Sequence, residues 1–246
     1  MVEASRLTGG QLPLGVGLRD LATLEAFEPG ANGAALAWLE TALSRIGDPT
    51  VGGERGWFLG PGSSGRSHLL QAACHARRAA GGRAIYLTPD VIREHPEAVL
   101  DGLERCDLVA LDDLDLLAGN RDAELALFGL WNRLQGQGGL LLMAASAPPQ
   151  GCDWTLPDLA SRLAQAVVFR LRPLDDEGRL QALLRRSRIR GIDLDERTAR
   201  FILARFPRDP AALFALLDDL DEASLSARRR VTIPFVKALI EARSQP

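Results

Sequence analysis

The sequence predicts an α/β protein: a core built on a parallel five-stranded sheet, followed by a small all-helical domain. Three observations carry this expectation. Short apolar runs at residues 57–59, 84–87, 108–111, 140–145 and 167–171 alternate with longer amphipathic stretches. Each run is bounded by glycine, proline or charged residues, and the stretches between are long enough for the crossover helices that parallel neighbours require. From Asp175 onward the period turns helical throughout, and no strand is expected there.

In chain order, residues 1–20 are rich in glycine and leucine and lack helical spacing, so they read as a tail. Leu36, Leu39, Leu43 and Ile46 then mark a first helix over 34–46, and the core is expected to span 21–174. Over 175–246 four apolar stripes follow at helical spacing: Leu180, Leu183, Leu184; Ala199, Ile202, Leu203, Phe206; Leu213, Leu216, Leu217, Leu220; and Phe235, Val236, Leu239, Ile240. Thr232 can N-cap the last of these, with Pro234 in its first turn where a missing N–H costs little.

Composition narrows the function classes. A net charge of −3 gives no general pull toward nucleic acid, so any DNA contact is expected to be local or indirect. Cys74, Cys106 and Cys152 are odd in number and widely spaced, which argues neither a disulfide framework nor a zinc site and fits a reducing cytoplasm. The first residues lack a basic stretch followed by an apolar run, and nothing reads as a membrane span.

The chemistry starts at Gly60-Pro61-Gly62-Ser63-Ser64-Gly65-Arg66-Ser67, which follows the first strand and opens the helix over 67–80. Its glycines let consecutive backbone N–H groups turn inward on a phosphate, at the positive end of the helix, and Ser67 is placed to ligate Mg²⁺. Arg66 stands where a P-loop has lysine. Lys237 is the only lysine, against 28 arginines, so chain-wide drift is one explanation. Yet a planar fork does not replace a compact ammonium between phosphates without cost, so diphosphate binding with poor catalysis is expected. At the end of the third apolar run, Asp112 and Asp113 are delivered to the crevice beyond the sheet, Asp112 for the Mg²⁺ shell and Asp113 to orient water. Paired acids can also merely cap a turn; the placement about fifty residues after the loop favours the first reading.

These residues resemble one family. Phe27-Glu28-Pro29-Gly30-Ala31-Asn32, Gly65-Arg66-Ser67-His68-Leu69-Leu70-Gln71-Ala72, Leu156-Pro157-Asp158-Leu159-Ala160-Ser161-Arg162-Leu163 and Thr232-Ile233-Pro234-Phe235-Val236-Lys237 are similar to segments of the DnaA-related proteins, most closely the regulatory inactivators of DnaA. The resemblance covers essentially the whole chain. It implies a P-loop AAA+ core with a helical lid, and ADP (or ATP) with Mg²⁺ held by residues 60–68, His68 included. It further implies a terminal motif that docks on the DNA polymerase III sliding clamp, and stimulation of ATP hydrolysis in DnaA, a negative control on replication initiation. The docking motif falls on Gln11, Leu12, Leu14, Val16 and Leu18, whose apolar side chains share one face of an extended segment. With the sequence ending soon after the lid, neither an N-terminal interaction domain nor a helix-turn-helix is expected, which separates the chain from an initiator.

Arg162 follows a proline-initiated turn on a short helix. It can pair with Asp158 at i,i+4 or point to a neighbouring subunit's phosphate, and the resemblance favours the latter, an arginine finger acting in trans. Around the γ-phosphate the chain departs from the family: Ser146 stands at the acidic sensor position, and the lid's sensor arginine falls near Ala211, with Arg208 the nearest substitute. Weak turnover of the chain's own ATP is therefore expected, with ADP bound at least as well as ATP. The rival reading is an independently active AAA+ ATPase, such as a helicase-loader-like motor; a small-molecule kinase lacks an acid or histidine base constellation. His68 and His75, seven apart, do not read as a metal pair, and Arg228-Arg229-Arg230 reads as a solvated turn, the alternative being contact with DNA threaded through the clamp. A homo-oligomer is compatible with the sequence.

Overall fold

The computed structural model describes residues 22–48, 50, 53–135, 137–205, 213, 216–217, 219–220 and 231–243. Five strands, β1 (Arg55–Leu59), β2 (Ala84–Leu87), β3 (Leu108–Leu111), β4 (Leu140–Ala145) and β5 (Val167–Arg170), form one sheet in the order β2-β3-β4-β1-β5. Every pairing is parallel. The four strands from β2 to β1 are buried along their whole length, which is why they read in sequence as continuous apolar runs and not as alternating ones. β5 lies at the sheet edge, and its Val167 and Val168 are exposed.

β2, β3 and β4 occupy the predicted runs from end to end, whereas β1 begins two residues earlier, at Arg55. A charged residue read as a boundary thus lies inside the sheet. It is tolerated because its guanidinium is answered locally: Nη1 donates to the carbonyls of Glu54 and Gly139 and Nη2 to that of Leu134, each at 2.9 Å, and the fork lies over the Trp131 ring. β5 ends one residue before the predicted limit, Leu171, whose N–H nevertheless donates to the Leu59 carbonyl at 2.6 Å.

Helices cover both faces. α1 (Gly33–Ser44) and α2 (Arg66–Ala79) pack through Leu39, Leu69, Leu70 and Ala73 on Phe58, Tyr86 and Leu142. On the other face α3 (Pro89–Glu94), α4 (Pro96–Leu100), α5 (Arg121–Leu134) and α6 (Pro157–Leu163) bury Ile92, Leu100, Leu127, Leu130 and Leu159 against Trp57, Val109, Leu141 and Met143. Beyond β5 come α7 (Asp176–Ile189), α8 (Glu196–Arg205) and α9 (Ile233–Arg243), with an apolar cluster of their own that includes Leu180, Leu183, Ile202, Leu216, Leu220 and Val236. α7 starts where it does because the Asp175 carboxylate accepts the Gly178 N–H at 2.7 Å. Contrary to the expectation of helix alone after residue 175, Leu194 and Val231 form a single parallel bridge, joining the chain ahead of α8 to the chain ahead of α9. No helix among the described residues is long and apolar enough to cross a membrane.

One side chain ties the start of the core to its end. Asn32 is buried; its Nδ2 donates to the Arg172 carbonyl at 2.9 Å while its Oδ1 accepts the Arg172 N–H at 2.8 Å. Both bonds satisfy backbone groups that leave the sheet with β5, and an alanine would strand them. Asn32→Ala should lower stability by about 1–3 kcal/mol in denaturant unfolding, with Asn32→Asp, which keeps only the acceptor, losing part of that. An unchanged midpoint for Asn32→Ala would contradict the assignment.

Candidate functional site

The P-loop segment leaves β1 through Gly60, whose N–H donates to the Ala145 carbonyl at 3.2 Å. A side chain at position 60 would place its Cβ 2.6 Å from Ser64 Oγ and 2.7 Å from the Leu171 carbonyl oxygen, so only glycine fits. The chain then makes one tight turn over Gly62–Ser64 and enters α2 through Gly65 at φ 89°. That left-handed turn, with the Phe27 ring 2.9 Å from where a Cβ would stand, is the second position that demands glycine. Ser64 is buried and its hydroxyl donates to the Pro61 carbonyl at 2.7 Å. The result is an exposed concave turn at Pro61, Gly62 and Ser63, set on the N-terminus of a fourteen-residue helix.

Arg66 is not a solvated surface residue: only 6% of it is exposed. Its Nη2 donates to Asp113 Oδ1 at 2.7 Å, while Nε and Nη1 are buried without a protein partner. Asp113 stands just past β3 in the left-handed region, φ 43°, a conformation an L-residue adopts only at a cost of about 1–2 kcal/mol. Burial and the neighbouring Asp112 charge push its carboxyl above the usual range, against the pull of Arg66. Asp112 is buried at the strand end, where Oδ2 accepts the Tyr86 hydroxyl at 2.5 Å and Oδ1 the Asp113 N–H at 2.9 Å. Burial first, and then the Asp112 charge, raise the Tyr86 hydroxyl, whose other hydrogen-bond partner is Gln71 on α2. Ser67 follows Arg66, and its hydroxyl has no protein partner among the described residues. Ser146, just after β4, donates both its N–H and its hydroxyl to Asp115 Oδ2.

His68 faces the other way, toward the last helical unit. Its Nε2 lies 2.9 Å from the Thr23 carbonyl oxygen and its Nδ1 2.7 Å from Arg186 Nη2 on α7. A guanidinium can only donate, so Nδ1 accepts and Nε2–H donates, and the ring is held neutral. Beside it Arg185 Nη2 pairs with Glu28 at 3.1 Å.

Arg162 lies on α6, whose buried face is Leu159 and Leu163. The Asp158 pair that i,i+4 spacing allows is not formed; among the described residues the partly exposed Arg162 guanidinium has no ion pair or hydrogen bond. The turn ahead of α6 is held by Glu124 of α5, whose carboxylate accepts the N–H groups of Gly119, Thr155 and Leu156 and the Thr155 hydroxyl.

The family model for the Hda lid domain matches residues 176–240. Among solved structures, one described as a DNA replication initiation factor is similar at TM-score 0.67 and 23% identity, over 82% of this chain and 64% of that one. Domain III of the replication initiation protein DnaA from Thermotoga maritima is similar at TM-score 0.69 and 20% identity, over 94% of this chain and all of that one. DnaA from Aquifex aeolicus, solved with AMPPCP, is similar at TM-score 0.65 and 22% identity, over 82% of this chain and 65% of that one. The chain has the α/β AAA+ fold that these structures share, and its last helical unit matches the Hda lid domain. It spans just under two thirds of the first and third of these structures.

On this AAA+ core the sheet brings Gly60, Pro61, Gly62, Ser63, Ser64, Gly65, Arg66, Ser67, Asp112 and Asp113 to the carboxyl ends of β1 and β3, with His68 turned to the lid. Gln11, Leu12, Leu14, Val16, Leu18, Arg208, Ala211 and Arg228-Arg229-Arg230 lie outside the described residues. Glu124, Tyr86 and Arg186 were not singled out from sequence. For Glu124 the signal was present: it shares a helical face with Leu127 and Trp131, an acid at an apolar position.

Burial first, then the Arg186 charge, hold the His68 imidazole down to about 4. Its folded value is below the unfolded 6.5, so the unfolded chain binds the extra proton and stability falls as pH drops from about 6.5 toward 4. The loss should reach at most about 3 kcal/mol. Unfolding measured against pH should therefore be steeper for the parent than for His68→Gln across that window; superimposable profiles would contradict it.

Proposed function

We propose that this AAA+ protein is an adaptor: it holds ADP (or ATP) with Mg²⁺ in its own P-loop, docks on the DNA polymerase III sliding clamp, and stimulates hydrolysis of ATP held by DnaA. Replication initiation is thereby negatively regulated, and DNA is met only through the clamp. The observation that carries this reading is Arg162, a guanidinium with no partner of its own on a helix seated firmly in the core. Asp158, one turn away at i,i+4, does not engage it, so the guanidinium is left available. An unpaired one, on a chain with the Hda lid match, is suited to a phosphate across a subunit boundary.

The chain's own site fits a nucleotide but is badly disposed to hydrolyse one. Two buried guanidinium nitrogens of Arg66 lack partners, which suits a phosphate oxygen, and the exposed turn over Pro61–Ser63 presents backbone N–H groups at the α2 terminus. Ser67 and Asp112 are the residues that would hold Mg²⁺, which neutralises phosphate charge when bound. Asp113, the residue expected to orient water, instead faces Arg66, and Ser146 is spent on Asp115. Arg208, proposed at the same nucleotide from the lid, and the clamp-docking residues Gln11, Leu12, Leu14, Val16 and Leu18 complete the reading from sequence. An extended segment that fills a pocket with alternate apolar side chains is a common mode of peptide capture.

A finger in trans is worth about 10³–10⁵ in rate, so its loss should be visible without any change upstream. Arg162→Ala should fold, bind ADP and bind the clamp as the parent does, while DnaA hydrolysis on clamp-loaded DNA falls to near the unstimulated rate. Asp158→Ala should change stability by no more than about 0.5 kcal/mol, since no pair is lost. An Arg162→Ala protein that stimulates normally would overturn the reading.

A further inference from the structure

Glu124 is fully buried, at 0% exposure, yet it is a carboxylate on the apolar face of α5. Its environment is complete. Oε1 accepts Gly119 N–H at 2.8 Å and Thr155 N–H at 3.1 Å; Oε2 accepts the Thr155 hydroxyl at 2.9 Å and Leu156 N–H at 2.7 Å. Four donors on two oxygens use the acceptor-only capacity of an ionised carboxylate to the full, which neither a glutamine nor an apolar residue can match. Three of the four come from Thr155 and Leu156, the two residues immediately before Pro157 and α6. Nothing else on α5 reaches across to that turn by a side-chain hydrogen bond among the described residues. The Ala160 N–H then donates to Leu156 O, so the residue gripped by Glu124 is also the first link of the α6 ladder. From Leu156 to Arg162 is less than two helical turns.

We infer that Glu124 is a positioning residue for Arg162: by gripping Thr155 and Leu156 it fixes where α6 begins, and hence the direction in which the unpartnered guanidinium is presented. The inference rests on the adaptor reading, in which Arg162 acts on the phosphate of a partner ATPase. No hydrogen bond or ion pair among the described residues orients Arg162, so its aim is set by the helix that carries it, and the helix is set by its first residues. Burial alone pushes the Glu124 carboxyl up, but the hydrogen bonds from Thr155, Gly119 and Leu156 bring it below the usual glutamate range, so the grip is held at neutral pH.

The isosteric Glu124→Gln replaces one acceptor oxygen by an N–H₂ group that faces two donors. Thr155→Val removes one donor and leaves the carboxylate. Both are measured with Arg162→Ala and with the Glu124→Gln/Arg162→Ala double variant, by hydrolysis of ATP-loaded DnaA on clamp-loaded DNA as a function of adaptor concentration, alongside ADP affinity and thermal unfolding. Glu124→Gln should lower the maximal stimulated rate about tenfold or more, with the half-saturating concentration and ADP affinity unchanged; Thr155→Val should fall between it and the parent, and the double variant should be no worse than Arg162→Ala. A purely structural glutamate would lower the melting temperature and leave the maximal rate per folded molecule intact, which overturns the inference. Should Glu124→Gln fold poorly, Thr155→Val decides by the same criteria. Arg162→Ala stimulating as well as the parent overturns the adaptor reading itself, whereas an inactive Arg162→Ala beside fully active Glu124→Gln overturns only the role given to Glu124.

Discussion

Arg66 carries a permanent charge into a place where almost none of it meets solvent, and the protein answers it at one nitrogen only. Taking an ion out of water costs several kcal/mol unless its hydrogen-bonding groups are met, so this arrangement is costly for the chain alone. Much of the surrounding geometry follows from it. Asp113 adopts a left-handed backbone and comes within 2.7 Å of the guanidinium, while Asp112 turns its oxygens to Tyr86 and to the Asp113 N–H. The turn thus faces a cation with unmet donors, an Asp113 carboxylate paired with that cation and an Asp112 carboxylate that accepts one hydrogen bond on each oxygen. On the proposed reading, this disposition suits holding a phosphate rather than cleaving it.

The same loop also joins the core to the lid. Gly65, Arg66 and Ser67 carry the glycine-rich turn into α2, and the next residue, His68, links Thr23 to Arg186 of α7. Arg185 and Glu28 reinforce that junction. Because Arg186 can only donate, the link needs a neutral imidazole, so the lid contact is made of groups whose protonation states are fixed by one another. The glycine-rich turn and the contact to the lid thus meet on consecutive residues of one helix terminus.

Much of the fold could be read from the sequence because the central strands are buried on both faces: three of the five apolar runs coincide with strands to the residue, and the glycine-rich turn sits between strand and helix as expected. What escaped the reading were polar groups whose partners are distant in sequence. Arg55 entered β1 because the distant carbonyls of Gly139 and Leu134 receive it, and Glu124 entered the core because Thr155 and Leu156, far along the chain, supply three of its four donors. The bridge between Leu194 and Val231 is likewise a long-range pairing with no local pattern. The converse also held. Asp158 and Arg162 have the spacing of a helical pair and do not form one, since proximity on a short exposed helix gains little in water.

The central claim is that the chain holds a nucleotide without spending it, leaving hydrolysis to a partner. Calorimetric titration of the isolated protein with ADP and with ATP, with phosphate release followed on the same samples, tests it most directly. The arrangement around Arg66, Asp113 and Ser146 predicts ADP bound at least as tightly as ATP and no appreciable release of phosphate. ATP bound clearly more tightly than ADP, with sustained turnover in the absence of any partner, would contradict it.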